Sequence, residues 1–206
     1  MFRIKESFEH CIEIEKSRFI CYVYRVFSED EAKQFLQQIK KLHPNATHWC
    51  YAFVIGEHNE IQRSNDNGEP SGTAGIPILN SLTKNHMQDT LAIVVRYFGG
   101  IKLGAGGLIR AYSKSCSETL HLATHTKIVH SKRYTYQFAY DLIGKIDYFF
   151  RQQNIEILDK VYKDTVVYTF LSVDDIHKDL QELSNGSGVL TFLCEELVEV
   201  TINKNE

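Results

Sequence analysis

Strand-like and helix-like spacings of apolar residues alternate along the first half of the chain. Residues 10–15 and 17–26 are rich in Ile, Phe, Tyr and Val and partly alternate with polar positions, as half-buried strands do. Ser28 and Glu31 have capping-box spacing, and Ala32, Phe35, Leu36, Ile39 and Leu42 follow at helical intervals. Lys40 and Lys41 complement the negative end of that helix, and Pro44 stops it. Residues 48–55 and 61–64 read as a strand pair around a polar hairpin at 56–60. Residues 65–75 hold almost no hydrophobic side chain and are therefore a loop, with a short helix predicted from about 73 to 84. Residues 91–97 are apolar without alternation, so this strand is expected in the middle of a sheet, buried on both faces. Beyond a glycine-rich turn at 99–107, a helix carries Leu108, Ala111, Tyr112, Cys116, Thr119 and Ala123 on one side.

The pattern changes near residue 127. A long strand at 128–140 leads to Asp141, placed to cap a helix that bears Leu142, Ile146, Phe149 and Phe150. Strands at 155–162 and 166–173 flank Lys163 and Asp164. A helix with Ile176, Leu180 and Leu183 ends at Asn185-Gly186, and 189–200 is the last strand. This β-α-β-β-α-β order is ferredoxin-like. The expectation is an α+β protein of two domains, 1–126 and 127–206.

Composition narrows the class. With 43% hydrophobic and 24% charged residues among 206, the chain is an ordinary globular sequence. No apolar run approaches the ~20 residues that cross a bilayer, and the first ten residues lack a signal-peptide core, so a cytoplasmic protein is expected. Five cysteines, odd in number and without a C-x-x-C pair, argue against a disulfide framework or a structural zinc site. Cys11, Cys21, Cys50, Cys116 and Cys194 are all expected as core or near-core thiols. Net charge is −3, and residues 127–206 carry 9 Lys+Arg against 13 Asp+Glu. Within 84–114, however, Lys84, Arg96, Lys102, Arg110 and Lys114 face only Asp89. Such a patch fits phosphate or nucleic-acid contact, or a plain solvated face.

Two segments carry candidate chemistry. Gly99, Gly100, Gly104, Gly106 and Gly107 lie between the central strand and a helix, where backbone amides can approach an anion and Lys102 and Arg110 supply counter-charge. Pure turn geometry is the competing explanation. The P-loop and dinucleotide fingerprints fail, since Ala105-Gly106 follows Gly104 and Ile109 stands where the third glycine belongs. Asp66 and Glu69 could hold a cation or act as an acid/base pair, but Asp66-Asn67-Gly68 followed by Pro70 is also a simple turn. His121 and His125 lack the glutamate of a zinc helix, Ser71 lacks a nucleophile elbow, and His48, which beside Trp49 could stack on a base, reads better as an edge-of-strand histidine.

The run Asn65-Asp66-Asn67-Gly68-Glu69-Pro70-Ser71-Gly72-Thr73-Ala74-Gly75, then Val94-Val95-Arg96-Tyr97-Phe98-Gly99-Gly100-Ile101-Lys102-Leu103-Gly104 and Gly107-Leu108-Ile109-Arg110-Ala111-Tyr112, closely resembles the IMPACT family, also called the YigZ family. Thr47-His48-Trp49-Cys50-Tyr51-Ala52 and Lys16-Ser17-Arg18-Phe19 resemble its earlier signatures. The likeness covers about the first 125 residues, and the remainder is similar to the C-terminal domain of bacterial members. It implies a ribosomal-protein-S5-domain-2-like fold followed by a ferredoxin-like domain, resembling the fourth and fifth domains of elongation factor G. Eukaryotic relatives restrain activation of an amino-acid-starvation kinase through a ribosome-associated activator, using an N-terminal domain not seen here. For bacterial members the resemblance implies no cofactor and no reaction.

Together these readings point to binding rather than catalysis: an RNA- or ribosome-binding protein with a role in translation regulation and no membrane association. Gly99–Gly107 amides, Lys102 and Arg110 would meet phosphates, while Arg96, Tyr97 and Tyr112 position the turn or stack on a base. Asp66, Gly68, Glu69, Pro70, Ser71, Gly72 and Thr73 form the accompanying loop. The alternatives are a metal-dependent phosphoester or nucleotide hydrolase using Asp66 and Glu69, and a protein-interaction module.

Overall fold

The computed structural model describes residues 1–202. Its elements in order are β1 (Arg3–Ile4), β2 (Phe8–Ile14), β3 (Ser17–Arg25), α1 (Glu29–Leu42), β4 (His48–Ile55), β5 (Ile61–Asn65), α2 (Gly75–Lys84), β6 (Thr90–Tyr97) and α3 (Gly104–Leu122). There follow β7 (His125–Phe138), a 3-10 turn (Tyr140–Leu142), α4 (Ile143–Gln152), β8 (Ile157–Tyr162), β9 (Val166–Ser172), α5 (His177–Leu183) and β10 (Val189–Thr201). The protein is a mixed α/β chain of two compact units. One is Met1–Lys127 with the described residues after Val200, and the other is Ile128–Val200. No helix among the described residues is long and apolar enough to cross a membrane.

In the first unit a five-stranded sheet has the order β2-β3-β6-β4-β5, with every neighbouring pair antiparallel. The unbroken apolar run of β6 places that strand in the middle, and helices cover both its faces. On one side Cys21, Val23, Cys50, Ala52, Ala92 and Val94 meet Ile78 and Leu82 of α2 and Leu108, Tyr112, Cys116 and Leu120 of α3. On the other, Tyr22, Phe53, Leu91, Ile93 and Val95 meet Ala32 and Ile39 of α1. At ~1.5–3 kcal/mol for each fully buried large aliphatic side chain, the α2/α3 face anchors the sheet more strongly than α1 does.

The second unit has the sheet order β8-β9-β7, with β10 also paired to β7. In chain order this is the 4-1-3-2 arrangement of the ferredoxin-like fold. Tyr136, Phe138, Tyr168 and Phe170 line the covered face, under Ile146 and Phe150 of α4 and Leu180 of α5.

Several local expectations are corrected. α2 begins at Gly75 rather than Thr73, because the Thr73 hydroxyl bonds to the Pro70 carbonyl at 2.6 Å and keeps that residue in the loop. α3 begins inside the glycine run, at Gly104. Asp141 sits within the 3-10 turn and caps nothing, since α4 starts after it without a side-chain cap. His125 is not helical but opens β7. Cys21, Cys50 and Cys116 are buried, whereas Cys11 and Cys194 are exposed. Cys11 falls on the outward set of alternating β2, and Cys194 lies on the thinly covered β10.

The N-terminus of α1 follows the capping expectation with one residue's displacement. Ser28 Oγ accepts the Glu31 N–H at 3.2 Å, while the Glu31 carboxylate takes the N–H of Phe27, not Ser28, at 2.7 Å. Ser28→Ala should therefore lower stability by about 1 kcal/mol in urea unfolding, with an unchanged denaturant slope.

Candidate functional site

The two signature segments meet at one end of β6. Beyond Tyr97 the chain passes so close to the β2–β3 hairpin that a Cβ on Gly99 would overlap the backbone of Lys16 and Ser17. Only glycine fits there. The Gly99 N–H donates to Ser17 Oγ at 3.2 Å and the Phe98 N–H to Thr47 Oγ1 at 3.1 Å, fixing the turn between two strands. Gly100 and Gly104 then adopt positive φ angles of 86° and 69°, so the chain turns sharply into α3. Leu103 offers no side-chain cap, and the first turn of α3 contains Gly104, Gly106 and Gly107. Among the described residues its N–H groups and positive dipole end have no side-chain acceptor.

The partner loop is organised by Asp66. Its carboxylate accepts the N–H groups of Gly72 at 2.8 Å, Ala74 at 2.9 Å and Gly75 at 2.8 Å, capping α2 from outside the helix. Burial alone would raise its pKa, but the three amides outweigh that and hold it below the ordinary aspartate value.

Glu69 then locks the loop onto the sheet. Glu69 Oε1 receives Arg96 Nη1 at 2.6 Å and the Tyr112 hydroxyl at 2.8 Å, and the two charged side chains are only 3% and 6% exposed. Arg96 also lies 5.4 Å from the Phe19 ring and 5.5 Å from the Phe98 ring. His48 Nδ1 donates to the Asn67 carbonyl at 2.9 Å, which leaves Nε2 3.8 Å from Glu69 Oε2. Cys50 Sγ is 2.8 Å from the Asp66 carbonyl and 3.3 Å from the Tyr112 hydroxyl. Burial pushes the Cys50 thiol up to about 12 and raises Tyr112 above the ordinary tyrosine value, so both stay protonated at neutral pH. Neither is an activated nucleophile.

Two concavities flank this network. One of about 300 Å³ is walled by His48, Pro70, Phe98, Leu103, Ala105 and Leu108. The other, about 470 Å³, lies along α3 and is lined by Ile14, Ile101, Lys102, Gly107, Arg110 and Lys114. Lys102 and Arg110 are exposed, and among the described residues neither has a hydrogen-bond or ion-pair partner.

The sequence-predicted residues thus divide. Lys102, Arg110 and the helix-opening glycines lie at the surface together. Arg96 and Tyr112 lie inside, with the Tyr112 ring packed edge-on against Phe19 at 5.3 Å and out of reach of a base. Tyr97 is half-buried, bonded through its hydroxyl to His43 at 2.9 Å, and Arg18 lies 4.7 Å from its ring centroid. Asp66 and Glu69 do not form a cation site, because amides occupy one carboxylate while Arg96 and Tyr112 occupy an oxygen of the other. No cluster of three or more His, Cys, Asp or Glu side chains suited to a metal occurs among the described residues. Sequence reasoning passed over Phe98, which is 47% exposed, and Ile101. Their signal was two large apolar residues inside a turn that should be polar.

Comparison with known proteins is decisive at the family level. The Impact N-terminal domain matches residues 15–120, and a domain of unknown function, DUF1949, matches residues 137–187. The chain belongs to the IMPACT family. It is 48% identical to IMPACT family member YvyE of Bacillus subtilis, over 93% of each chain. It is 34% identical to IMPACT family member YigZ of Escherichia coli, covering 85% of this chain and 89% of that relative. A crystal structure of a hypothetical protein aligns with a TM-score of 0.60 at 31% identity, covering 92% of this chain and 95% of that one.

Two outcomes are expected from the Glu69 network. Glu69→Leu leaves Arg96 buried without a counter-ion and should cost about 3–5 kcal/mol in urea unfolding, whereas Glu69→Leu/Arg96→Leu should cost clearly less than the two single changes added. In acid, Asp66 contributes stability above the ordinary aspartate pKa of 3.8, and this is lost as pH falls through its lower folded value. Asp66→Asn should accordingly flatten the stability curve below about pH 4, read by thermal melts from pH 2 to 7.

Proposed function

We propose that this IMPACT family protein binds single-stranded RNA, on the ribosome or on transcripts in the cytoplasm, as part of translation regulation. The observation that carries the reading is the juxtaposition of two unlike recesses at the opening of α3. Lys102, Arg110 and Lys114 line one recess together with Glu15, and because Lys114 pairs with Glu118 at 3.7 Å, Lys102 and Arg110 are the cations offered to a phosphate backbone. Phe98, Pro70 and Leu103 line the other, suited to an unstacked base. RNA recognition commonly pairs these features, a basic track for the backbone and an aromatic surface for splayed bases. Amides at the α3 N-terminus add acceptor-seeking groups beside Lys102.

Arg96, Tyr112 and Glu69 then act as a frame that holds the turn and loop together, and Phe98 takes the stacking role. Binding is favoured over turnover because the buried thiol and phenol are protonated and both motif carboxylates are engaged. The translational setting comes from the family resemblance rather than from the site. With Lys102 and Arg110 as the unpaired cations at the groove among the described residues, affinity is modest and falls as salt rises.

The test is fluorescence anisotropy with a labelled single-stranded RNA oligonucleotide at several salt concentrations, alongside ribosome co-sedimentation. Lys102→Ala/Arg110→Ala should weaken binding and reduce the slope of log K against log salt by about 0.7 for each phosphate that is no longer neutralised. Phe98→Ala should cost about 1–3 kcal/mol with the salt slope unchanged. Absence of binding by the unaltered protein at low salt, or binding insensitive to salt, overturns the proposal.

A further inference from the structure

The second unit carries a surface unrelated to the RNA reading. β10 extends over 13 residues and pairs with β7, and among the described residues no strand pairs with its other side. An edge of this length presents a row of free backbone N–H and C=O groups, which proteins usually protect with Lys, Pro, a bulge or brevity. β10 contains no Lys, Arg, Pro or Gly. Four of its apolar side chains are exposed instead: Val189, Phe192, Leu193 and Leu197 are 57%, 53%, 49% and 65% exposed, while Leu190 packs against the core.

The charge on this edge has one sign. Glu195, Glu196 and Glu199 are its only ionisable residues besides Cys194, and Arg133 engages Glu196 at 2.7 Å. Residues 127–206 as a whole carry 9 Lys+Arg against 13 Asp+Glu. A second copy of the chain fits poorly. Antiparallel pairing of β10 with itself over its full length sets Glu195 opposite Glu195, and like charges directly opposed are destabilising. Residues 193, 195 and 197 share one face of the strand, giving the order apolar, acidic, apolar.

We propose that β10 is a docking edge for an extended segment of another protein, which adds to the sheet as a strand. That segment places apolar side chains opposite Leu193 and Leu197 and a Lys or Arg opposite Glu195. Main-chain hydrogen bonds along the free edge supply affinity, and the apolar-basic-apolar spacing supplies specificity.

The experiment uses the full chain and a fluorescently labelled peptide of about ten residues, with Val at two positions four apart and Lys midway between them. Anisotropy should show saturable binding, weaker at high salt, and a peptide of the same composition in scrambled order should bind less. Glu195→Lys should weaken the Lys peptide about fivefold and favour a matched peptide carrying Glu in its place. Leu193→Lys, at an exposed position, should abolish binding of both while leaving the thermal melt unchanged. No saturable binding, equal binding of the scrambled peptide, or failure of the charge exchange overturns the proposal. So does a concentration-dependent dimer in sedimentation velocity that Leu193→Lys dissolves, since a second copy would then be the occupant.

Discussion

The buried contact between Arg96 and Glu69, completed by the Tyr112 hydroxyl, is the constraint on which the first unit's functional end depends. It joins three segments with different jobs: the last buried position of the central strand, a loop with almost no apolar side chain, and the long helix α3. A buried ion pair contributes little net stability, because desolvating two charges offsets most of their attraction. Its effect is on geometry. Removing either partner leaves an uncompensated charge in the interior, so the loop is tolerated only in the position where Glu69 reaches Arg96. Asp66 performs the complementary task along the chain, gathering three amides so that the loop ends cleanly in α2.

With loop and turn locked, the surface around them is determined. The backbone crossing at Gly99 holds the turn against the β2–β3 hairpin, and the left-handed residues Gly100 and Gly104 aim the opening of α3 outward. Lys102 and Arg110 then stand in solvent without partners among the described residues, beside a recess walled by Phe98 and Pro70. Lys102 borders both recesses, and the one along α3 combines its cations with the apolar side chains of Ile14 and Ile101. The interior histidine, thiol and phenol serve packing and hydrogen bonding. His48 is held by the Asn67 carbonyl, and burial keeps Cys50 and Tyr112 protonated.

The ferredoxin-like unit works by different physics. Its helices cover one face of the sheet with an aromatic layer of Tyr136, Phe138, Tyr168 and Phe170. The long strand β10 is left with an acidic, apolar edge that contains no Lys or Pro, so its three glutamates are the charges that select what can pair with it. An RNA-binding end and a strand-accepting edge would give the protein two surfaces of opposite charge preference, one for a polyanion and one for a basic chain segment.

Much of this was legible in the sequence because it rests on local rules. Helix and strand periods, the Ser28 cap, the doubly buried strand β6 and the β-α-β-β-α-β order of the second unit follow from residue spacing within a few turns or pleats. The glycine-rich turn was likewise visible as a demand for unusual backbone. Errors fell where a local signal met a nonlocal partner. Asp141 has the chemistry of a cap but sits inside a 3-10 turn, and Cys11 and Cys194 have apolar neighbours but lie on edges. Arg96 and Tyr112 read as surface contacts because charge and aromaticity in a glycine turn suggest a ligand. Their partner, Glu69, lies 27 and 43 residues away, and only the fold brings it within hydrogen-bond reach. The sequence by itself determined which elements form and where the backbone must bend. Tertiary structure alone decided which polar residues turn inward and which remain to meet a ligand, because burying a charge requires a counter-charge that spacing along the chain does not reveal.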